Sequence, residues 1–413
     1  MQADTIVIGG GASGLMAALS CGKHGENISG KRNILILEHK DKIGKKILAT
    51  GNGKCNYTNL VQKPDCYHSQ DPAFVQRVLS AFDEQQTIEF FKEMGLFPKV
   101  KNGYVYPMSE QARSVVVLLE TELKRLGVRI QTGVHVSGIR KKKGLFSVET
   151  EKGTYKAGQV ILAAGGMAYP SLGSDGSGYK LAESLGHHIT PLVPALTGFQ
   201  CAGGFFKKTA GVRTGGRITF FLPDHKCVSS QGELQLTSYG ISGIPVFEVS
   251  SEAGRAMAHG GKLRAEIDFL PEFSREELTE QLIKLNSVYP GRNTEILLTG
   301  LLNQKLAWGI LNEAGLLNAD GLTEDQAGLL SRWIKRFPVQ VLKVNDFAQA
   351  QVTAGGIHTS EIDPDTMESR LVKGLYLTGE LVDVDGTCGG YNLQWAWSSG
   401  FVAGRAAGRN EII

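Results

Sequence analysis

Four short, almost unbroken apolar runs stand out along the chain: "TIVI" at 5–8, "NILILE" ending at Glu38, "QVILAAGG" at 159–166 and "GLYLTGE" at 374–380. Each reads as a buried strand, since a strand packed on both faces shows no polar alternation. The first is followed by "GGGASGLMAALS", glycines and then an alanine-rich stretch that reads as a helix. The segment "GENISGKR" at 25–32 separates that helix from the second strand and reads as a surface loop insertion. From about Pro194 the pattern changes. "ALTGFQCAGG", "GGRITFFL", "GELQLT" and "GGKLRAEIDFL" alternate and are broken by glycine, which suggests a small antiparallel barrel or sandwich. Helical periodicity takes over next. Ser274 with Glu277 forms a capping box ahead of Leu278, Leu282 and Leu285, and Thr323 with Gln326 forms another ahead of "GLLSRWIKRF", stopped by Pro338. Trp308 and Trp333 fall on these helical patterns as core residues. "QVTAGGI" at 351–357 returns the chain to the first pattern, so the expected division is 1–193, an inserted β part 194–270, an inserted helical part 271–342 that returns to the β part, and a returning part 343–413.

Composition narrows the classes. Lys+Arg 44 against Asp+Glu 41 is a balanced surface, unlike the basic field of a dedicated nucleic-acid binder. The single basic run, Arg140 to Lys143, precedes Gly144 between two strand-like segments and reads as a hairpin tip. Six scattered cysteines without C-x-x-C or metal-ligand spacing fit reduced thiols in the cytoplasm, and no metal site is expected. His187 and His188 read as surface or satisfied core positions. A signal peptide and a membrane span are not expected, because the early apolar stretch is broken by Gly9, Gly10, Gly11 and Gly14.

The glycines carry chemistry. Gly9-x-Gly11-x-x-Gly14 follows a strand and opens a helix; in that arrangement the first glycine makes the turn, the second admits a pyrophosphate and the third lets helix and strand touch. Glu38, closing the second strand, is placed to bind the hydroxyls of an adenosine ribose. A dinucleotide is therefore expected. The late "GELVDVDG" and "GTCGGYNLQWAWSSG" bring a glycine, acids, a bendable loop and a helix start back to the same ligand, which favours a flavin dinucleotide over a nicotinamide. "GKKILATGNGKCNYTN" at 44–59 crowds Lys45, Lys46, Thr50, Gly51, Gly53, Lys54 and Asn56 together and suits phosphate or the flavin's polar edge.

These stretches resemble the bacterial FAD-dependent oxidoreductase family that includes aminoacetone oxidase and a dehydro-bile-acid reductase, over nearly the whole chain. The resemblance implies an α/β fold, a Rossmann-like FAD-binding domain of the two-dinucleotide-binding type with an inserted β-barrel-like and helical domain. It implies non-covalent FAD held at Gly9, Gly11, Ala12, Ser13, Gly14, Glu38, His39, Lys46, Thr50, Gly51, Gly53, Lys54, Cys55, Asn56, Val136, Ala164, Gly165, Gly379, Glu380, Asp383, Gly390, Asn392, Leu393 and Gln394, the side chains of Asn392 and Gln394 lying near the pyrimidine end. Lys54 stands where arginine is expected and Asn52 where glycine is. Ser238 and Ile244 replace an expected histidine and proline, so Ser238, Tyr239 and Ile244 are the candidate substrate residues, on an insertion expected to close over the flavin. Tyr169, His358, Cys388 and Tyr391 adjoin glycine loops and are the acid/base candidates.

The expected activity is hydride exchange at flavin N5 with a small molecule: NAD(P)H, a transient donor, reduces an activated C=C bond in an apolar enone such as a steroid or bile acid. An amine oxidase of the aminoacetone oxidase type, using oxygen, is the rival enzyme. A non-catalytic, RNA-associated protein with a structural FAD is the rival of another class, disfavoured by the balanced charge. No nucleic-acid or membrane partner is expected, and the oligomeric state is open.

Overall fold

The computed structural model describes residues 1–27, 30–222 and 227–409. Two compact units result: Met1–Leu192 with Phe347–Ile413, and Val193–Asp346. In the first unit the four apolar runs become the strands Gln2–Ile8, Ile34–Glu38, Gly153–Leu162 and Leu375–Leu377. Gln2–Ile8 lies between Gly153–Leu162 and Ile34–Glu38, and Leu375–Leu377 continues the sheet beyond Leu162, all parallel. Arg129–Thr132 adds a further parallel strand on the other edge. The apolar runs Thr5–Ile8, Ile34–Glu38, Gln159–Leu162 and Leu375–Leu377 are buried on both faces, which explains why no polar alternation showed in the sequence.

The antiparallel ribbon Val136–Lys142 and Leu145–Thr150 extends this sheet, and the basic run does form its tip, turning through Lys143 (φ 49°) and Gly144 (φ 83°). The segment expected as a plain surface loop at 25–32 holds a short antiparallel pair, Glu26–Asn27 with Gly30–Lys31. Residues 28 and 29 lie outside the described residues.

Helix Ala12–His24 and the last helix, Tyr391–Arg409, pack against each other through small residues. A Cβ at Gly400, Gly404 or Gly408 would come within 2.4, 2.1 and 2.9 Å of the carbonyl oxygens of Ser13, Ala17 and Cys21. Three glycines at four-residue spacing thus let one backbone lie on the other.

The second unit is an antiparallel barrel. Its strands run Phe199–Cys201, Gly240–Gly243, Cys227–Thr237, Arg213–Phe221, Arg264–Asp268 and Phe337–Val344, and the last pairs back to the first. Helices Arg275–Val288, Gln304–Ala314 and Glu324–Lys335 share its core, and both capping boxes, Ser274/Glu277 and Thr323/Gln326, are formed. Trp333 packs on Phe337 and Trp308 lies under Lys208, both half-buried where full burial was expected. The described barrel strands pair only antiparallel, so no second βαβ nucleotide unit is among them. Among the described residues no helix is long and apolar enough to cross a membrane.

Candidate functional site

Because the central strands are parallel, the loops leaving Ile8, Glu38, Leu162 and Leu377 all emerge at one edge of the sheet. The three fingerprint glycines do different things there. Gly9 has φ 108°, and a Cβ on it would lie 2.3 Å from the Ala163 carbonyl oxygen. A Cβ on Gly14 would lie 2.0 Å from the Gly9 carbonyl oxygen. Both are glycine because protein backbone is in the way. A Cβ on Gly11 meets nothing within 4 Å. Gly11 caps helix Ala12–His24, whose first turn has no acidic residue and no side-chain cap, the arrangement in which helix N–H groups remain for an anion.

Glu38 is buried and accepts from the backbone N–H of Gly10 (2.7 Å) and of Lys40 (2.7 Å), one on each carboxylate oxygen. Each oxygen keeps acceptor capacity for a ribose hydroxyl. Beside it, His39 stands with Nδ1 3.3 Å from Glu38 and Nε2 3.9 Å from Asp175. Val136 is buried at a bulge where the antiparallel ribbon begins.

The late part of the chain meets the early part at Gly379. A Cβ there would sit 2.4 Å from the Ser13 hydroxyl oxygen. The Gly379 N–H donates to Ser399 Oγ (3.0 Å), and Trp395 Nε1 donates to the Gly379 carbonyl (3.0 Å). Neighbouring Glu380 is an ion-pair partner of Lys46 at 2.6 Å and accepts from the Thr353 N–H at 2.9 Å. Lys46 is thus positioned by Glu380, with N–H donors to spare. Ala164 and Gly165 follow the strand Gly153–Leu162 at the same edge, and Asp383 is buried just beyond Glu380.

In the early glycine-rich turn, Gly51 and Asn52 take left-handed backbone (φ 55° and 53°), so asparagine holds the conformation glycine was expected to supply. Thr50 Oγ1 donates to the Ile47 carbonyl (2.6 Å), and exposed Lys54 lies 3.3 Å from Glu110. Burial pushes the Cys55 thiol up to about 12, which leaves that side chain neutral and inert. Asn56 Oδ1 accepts from the Val105 N–H (3.2 Å).

The loop 386–392 corrects part of the sequence reading. Gln394 is 1% exposed: Oε1 accepts from Thr58 Oγ1 (2.6 Å), while Nε2 donates to the Phe82 carbonyl (3.2 Å), Thr87 Oγ1 (3.0 Å) and Ser398 Oγ (2.9 Å). Its amide, expected at a pyrimidine edge, is spent inside the protein, because a buried amide must satisfy every donor and acceptor. Asn392 closes its own loop, accepting from the Gly386 N–H (2.8 Å) and donating to the Gly386 carbonyl (2.7 Å). What the helix start offers a ligand is backbone, with Gly390 pressed on Thr58 and Leu393 half-buried beside it.

The acid/base candidates are engaged separately. Tyr391 is buried and donates its hydroxyl to the Val61 carbonyl (2.9 Å). His358 Nδ1 pairs with Ser360 Oγ (2.8 Å). Tyr169 is partly exposed in left-handed backbone, φ 63°. Cys388 follows Thr387, whose N–H donates to the Cys66 carbonyl (2.9 Å). In the second unit Ser238 and Tyr239 form the exposed turn between two barrel strands, and Ile244, 53% exposed, opens helix Ile244–Ala258. Among the described residues no group of three potential metal ligands gathers.

The family described as HI0933-like protein Rossmann domain matches residues 3–406. The chain belongs to this family of FAD-dependent oxidoreductases. Similar proteins include a 3-dehydro-bile acid delta(4,6)-reductase of Clostridium scindens, 44% identical over 97% of this chain and 98% of the relative. A ribosomal RNA dihydrouridine synthase of Escherichia coli is 30% identical over 96% of each chain. Among solved structures, a 3-ketosteroid delta1-dehydrogenase from Sterolibacterium denitrificans shares the fold with TM-score 0.50 and 12% identity, covering 98% of this chain and 99% of that one. The family member's site fits FAD on its own geometry: an uncapped helix start beside Gly11, a buried carboxylate after the second strand, and the returning Gly379 against Ser13.

Sequence reasoning missed His68, which pairs with Asp385 of the "GELVDVDG" stretch across two short strands (Nδ1–Oδ2 3.2 Å). They are 317 positions apart, and His68 sits in no recognisable motif. It also missed Ser399 and Trp395 as supports of Gly379, although the small and aromatic residues of "QWAWSSG" were in view.

Proposed function

We propose that this chain reduces a carbon–carbon double bond conjugated to a carbonyl, in an apolar 3-keto steroid or bile-acid-like substrate, with NAD(P)H as transient electron donor. The observation that carries this reading is the 44% identity, sustained over nearly both chains, to a protein whose name specifies reduction at positions 4 and 6 of a 3-dehydro bile acid. The second relative's name describes a product made by adding two hydrogens across the uracil C5=C6 bond, an alkene polarised by the C4 carbonyl. One chemistry therefore underlies both names.

When bound, FAD supplies hydride at its N5 position. The chain's own residues supply the rest. The N–H groups of helix Ala12–His24 receive the pyrophosphate, Glu38 receives the ribose, and the start of helix Tyr391–Arg409 presents positive backbone dipole to negative charge on the ring. Ser238, Tyr239 and Ile244 select the substrate, and with serine and isoleucine at 238 and 244 they favour a neutral, apolar one. NAD(P)H reaches the ring transiently, since the second unit offers an antiparallel barrel in place of a second nucleotide fold.

Anaerobic stopped-flow mixing tests the reading. NADH or NADPH should bleach the flavin, and a 3-keto-Δ4 steroid should then restore its colour. Bleaching by a primary amine, with reoxidation by oxygen alone, would instead establish the oxidase. A second reading, uridine in ribosomal RNA as substrate, is favoured by the relative at 30% identity and predicts dihydrouridine in treated RNA.

A further inference from the structure

We propose that His68, held by Asp385, donates the proton in this reduction, an inference that depends on the enone reading above. Saturating a C=C–C=O unit requires hydride at the β carbon and a proton at the α carbon. Asp385 is 2% exposed, and its Oδ2 lies 3.2 Å from His68 Nδ1. The two residues are direct partners in the antiparallel pair Tyr67–His68 with Asp385–Gly386, so the ring orientation is set by both backbone and carboxylate. A buried carboxylate on Nδ1 fixes the tautomer and stabilises the imidazolium, aiming Nε2 away from it. The His68 side chain keeps 35% of its surface exposed.

The strand carrying His68 adjoins the loop that precedes the last helix. Gly386, next to Asp385, is clamped by Asn392 at 2.8 and 2.7 Å, and the Thr387 N–H donates to the Cys66 carbonyl at 2.9 Å. On the other side Asn59 Nδ2 donates to the Gly389 carbonyl at 2.9 Å. The loop before the last helix therefore lies between the early glycine-rich segment and the strand carrying His68. Three other acid/base groups are engaged within the protein: Tyr391 with the Val61 carbonyl, His358 with Ser360, and His187 with Glu361 and Ser369.

In the step, the electron pair of the enolate left after hydride addition takes the proton from Nε2. The new α-carbon C–H bond forms as N–H breaks, and the neutral imidazole regains a proton from solvent. No electrons pass through His68.

The test uses the FAD-loaded full chain with His68→Gln, His68→Gly and Asp385→Asn. FAD affinity and the rate of bleaching by NAD(P)H should stay at the wild-type value. Reoxidation by a 3-keto-Δ4 steroid should slow by about 100-fold in His68→Gln, the usual worth of a general acid. Added imidazole should restore rate in His68→Gly and not in Asp385→Asn. In the oxidised wild-type protein, the His68 ring nitrogen resonances should move on titration with the saturated ketone, a binding readout without turnover. Wild-type reoxidation in His68→Gln, loss of FAD in that variant, or no imidazole rescue overturns the proposal while leaving the enone reading standing. If no enone reoxidises the wild-type flavin, the reading itself fails, and this proposal falls with it.

Discussion

Gly11 and Gly14 stand three positions apart, yet enlarging them should break different things. A side chain on Gly14 collides with the Gly9 carbonyl, whereas one on Gly11 enters space the protein leaves open. Gly14→Val should therefore destabilise the apoprotein by several kcal/mol, on the order of 3, as overpacking against backbone does. Gly11→Val should leave the apoprotein's melting temperature nearly unchanged and weaken FAD binding by at least about 100-fold, the cost of losing a pyrophosphate contact. Differential scanning fluorimetry with a flavin titration separates the two. Gln394→Leu should cost about 2–4 kcal/mol, because it strands several buried partners at once, and denaturant unfolding of the apoprotein measures it. The glycine roles were legible because a turn–strand–helix context constrains them locally. The partners of Gln394 were not legible, since Thr58, Phe82 and Thr87 come from more than 300 positions away.

Among elements, the stretch after Ile357 is pinned to helix Ser177–Ser184's trailing residues by an acid-sensitive clasp. His187 is buried and bonded to Glu361 (2.9 Å) and to Ser369 (2.9 Å), the second of the two environments, surface or satisfied core, expected of it. Burial lowers its pKa more than Glu361 raises it, so the folded ring is neutral. The unfolded chain takes up this proton near pH 6.5, so the stability linked to His187 is complete above that pH and declines below it. For Glu361, burial pulls upward, but hydrogen bonds from His188 and His187 prevail and hold the carboxyl low. Its contribution is complete above about pH 4.3 and is lost as pH falls through the folded value. Both act in the same direction. Thermal melts from pH 7.5 to 5 should show falling stability, and His187→Asn should flatten the upper part of that slope. Strands and capped helices could be read from sequence because period and cap are local signals. This clasp could not, since Glu361 and Ser369 look like ordinary loop residues until the sheet brings them to His187.

At the scale of the molecule, the barrel and its helices form a core of their own within Val193–Asp346. Expressed alone, residues 193–346 should fold cooperatively, with a single sigmoidal denaturation and strand-rich circular dichroism, and should not bind FAD. The barrel was foreseen from alternation and glycine spacing, and its closing strand, Phe337–Val344, follows the helix that ends at Lys335. The first unit is divided by that insertion, and its two halves are joined by the glycine stripe of the last helix lying on Ser13, Ala17 and Cys21. Ribosomal synthesis meets this arrangement in order. Helix Ala12–His24 emerges first, but the backbone it must lie against arrives only with Gly400 to Gly408, after the inserted barrel has been made. The barrel can fold while the chain is still growing; the flavin site cannot. A nascent chain halted before Gly400 should carry no FAD, and premature arrest should expose the apolar faces of the opening strands to chaperones.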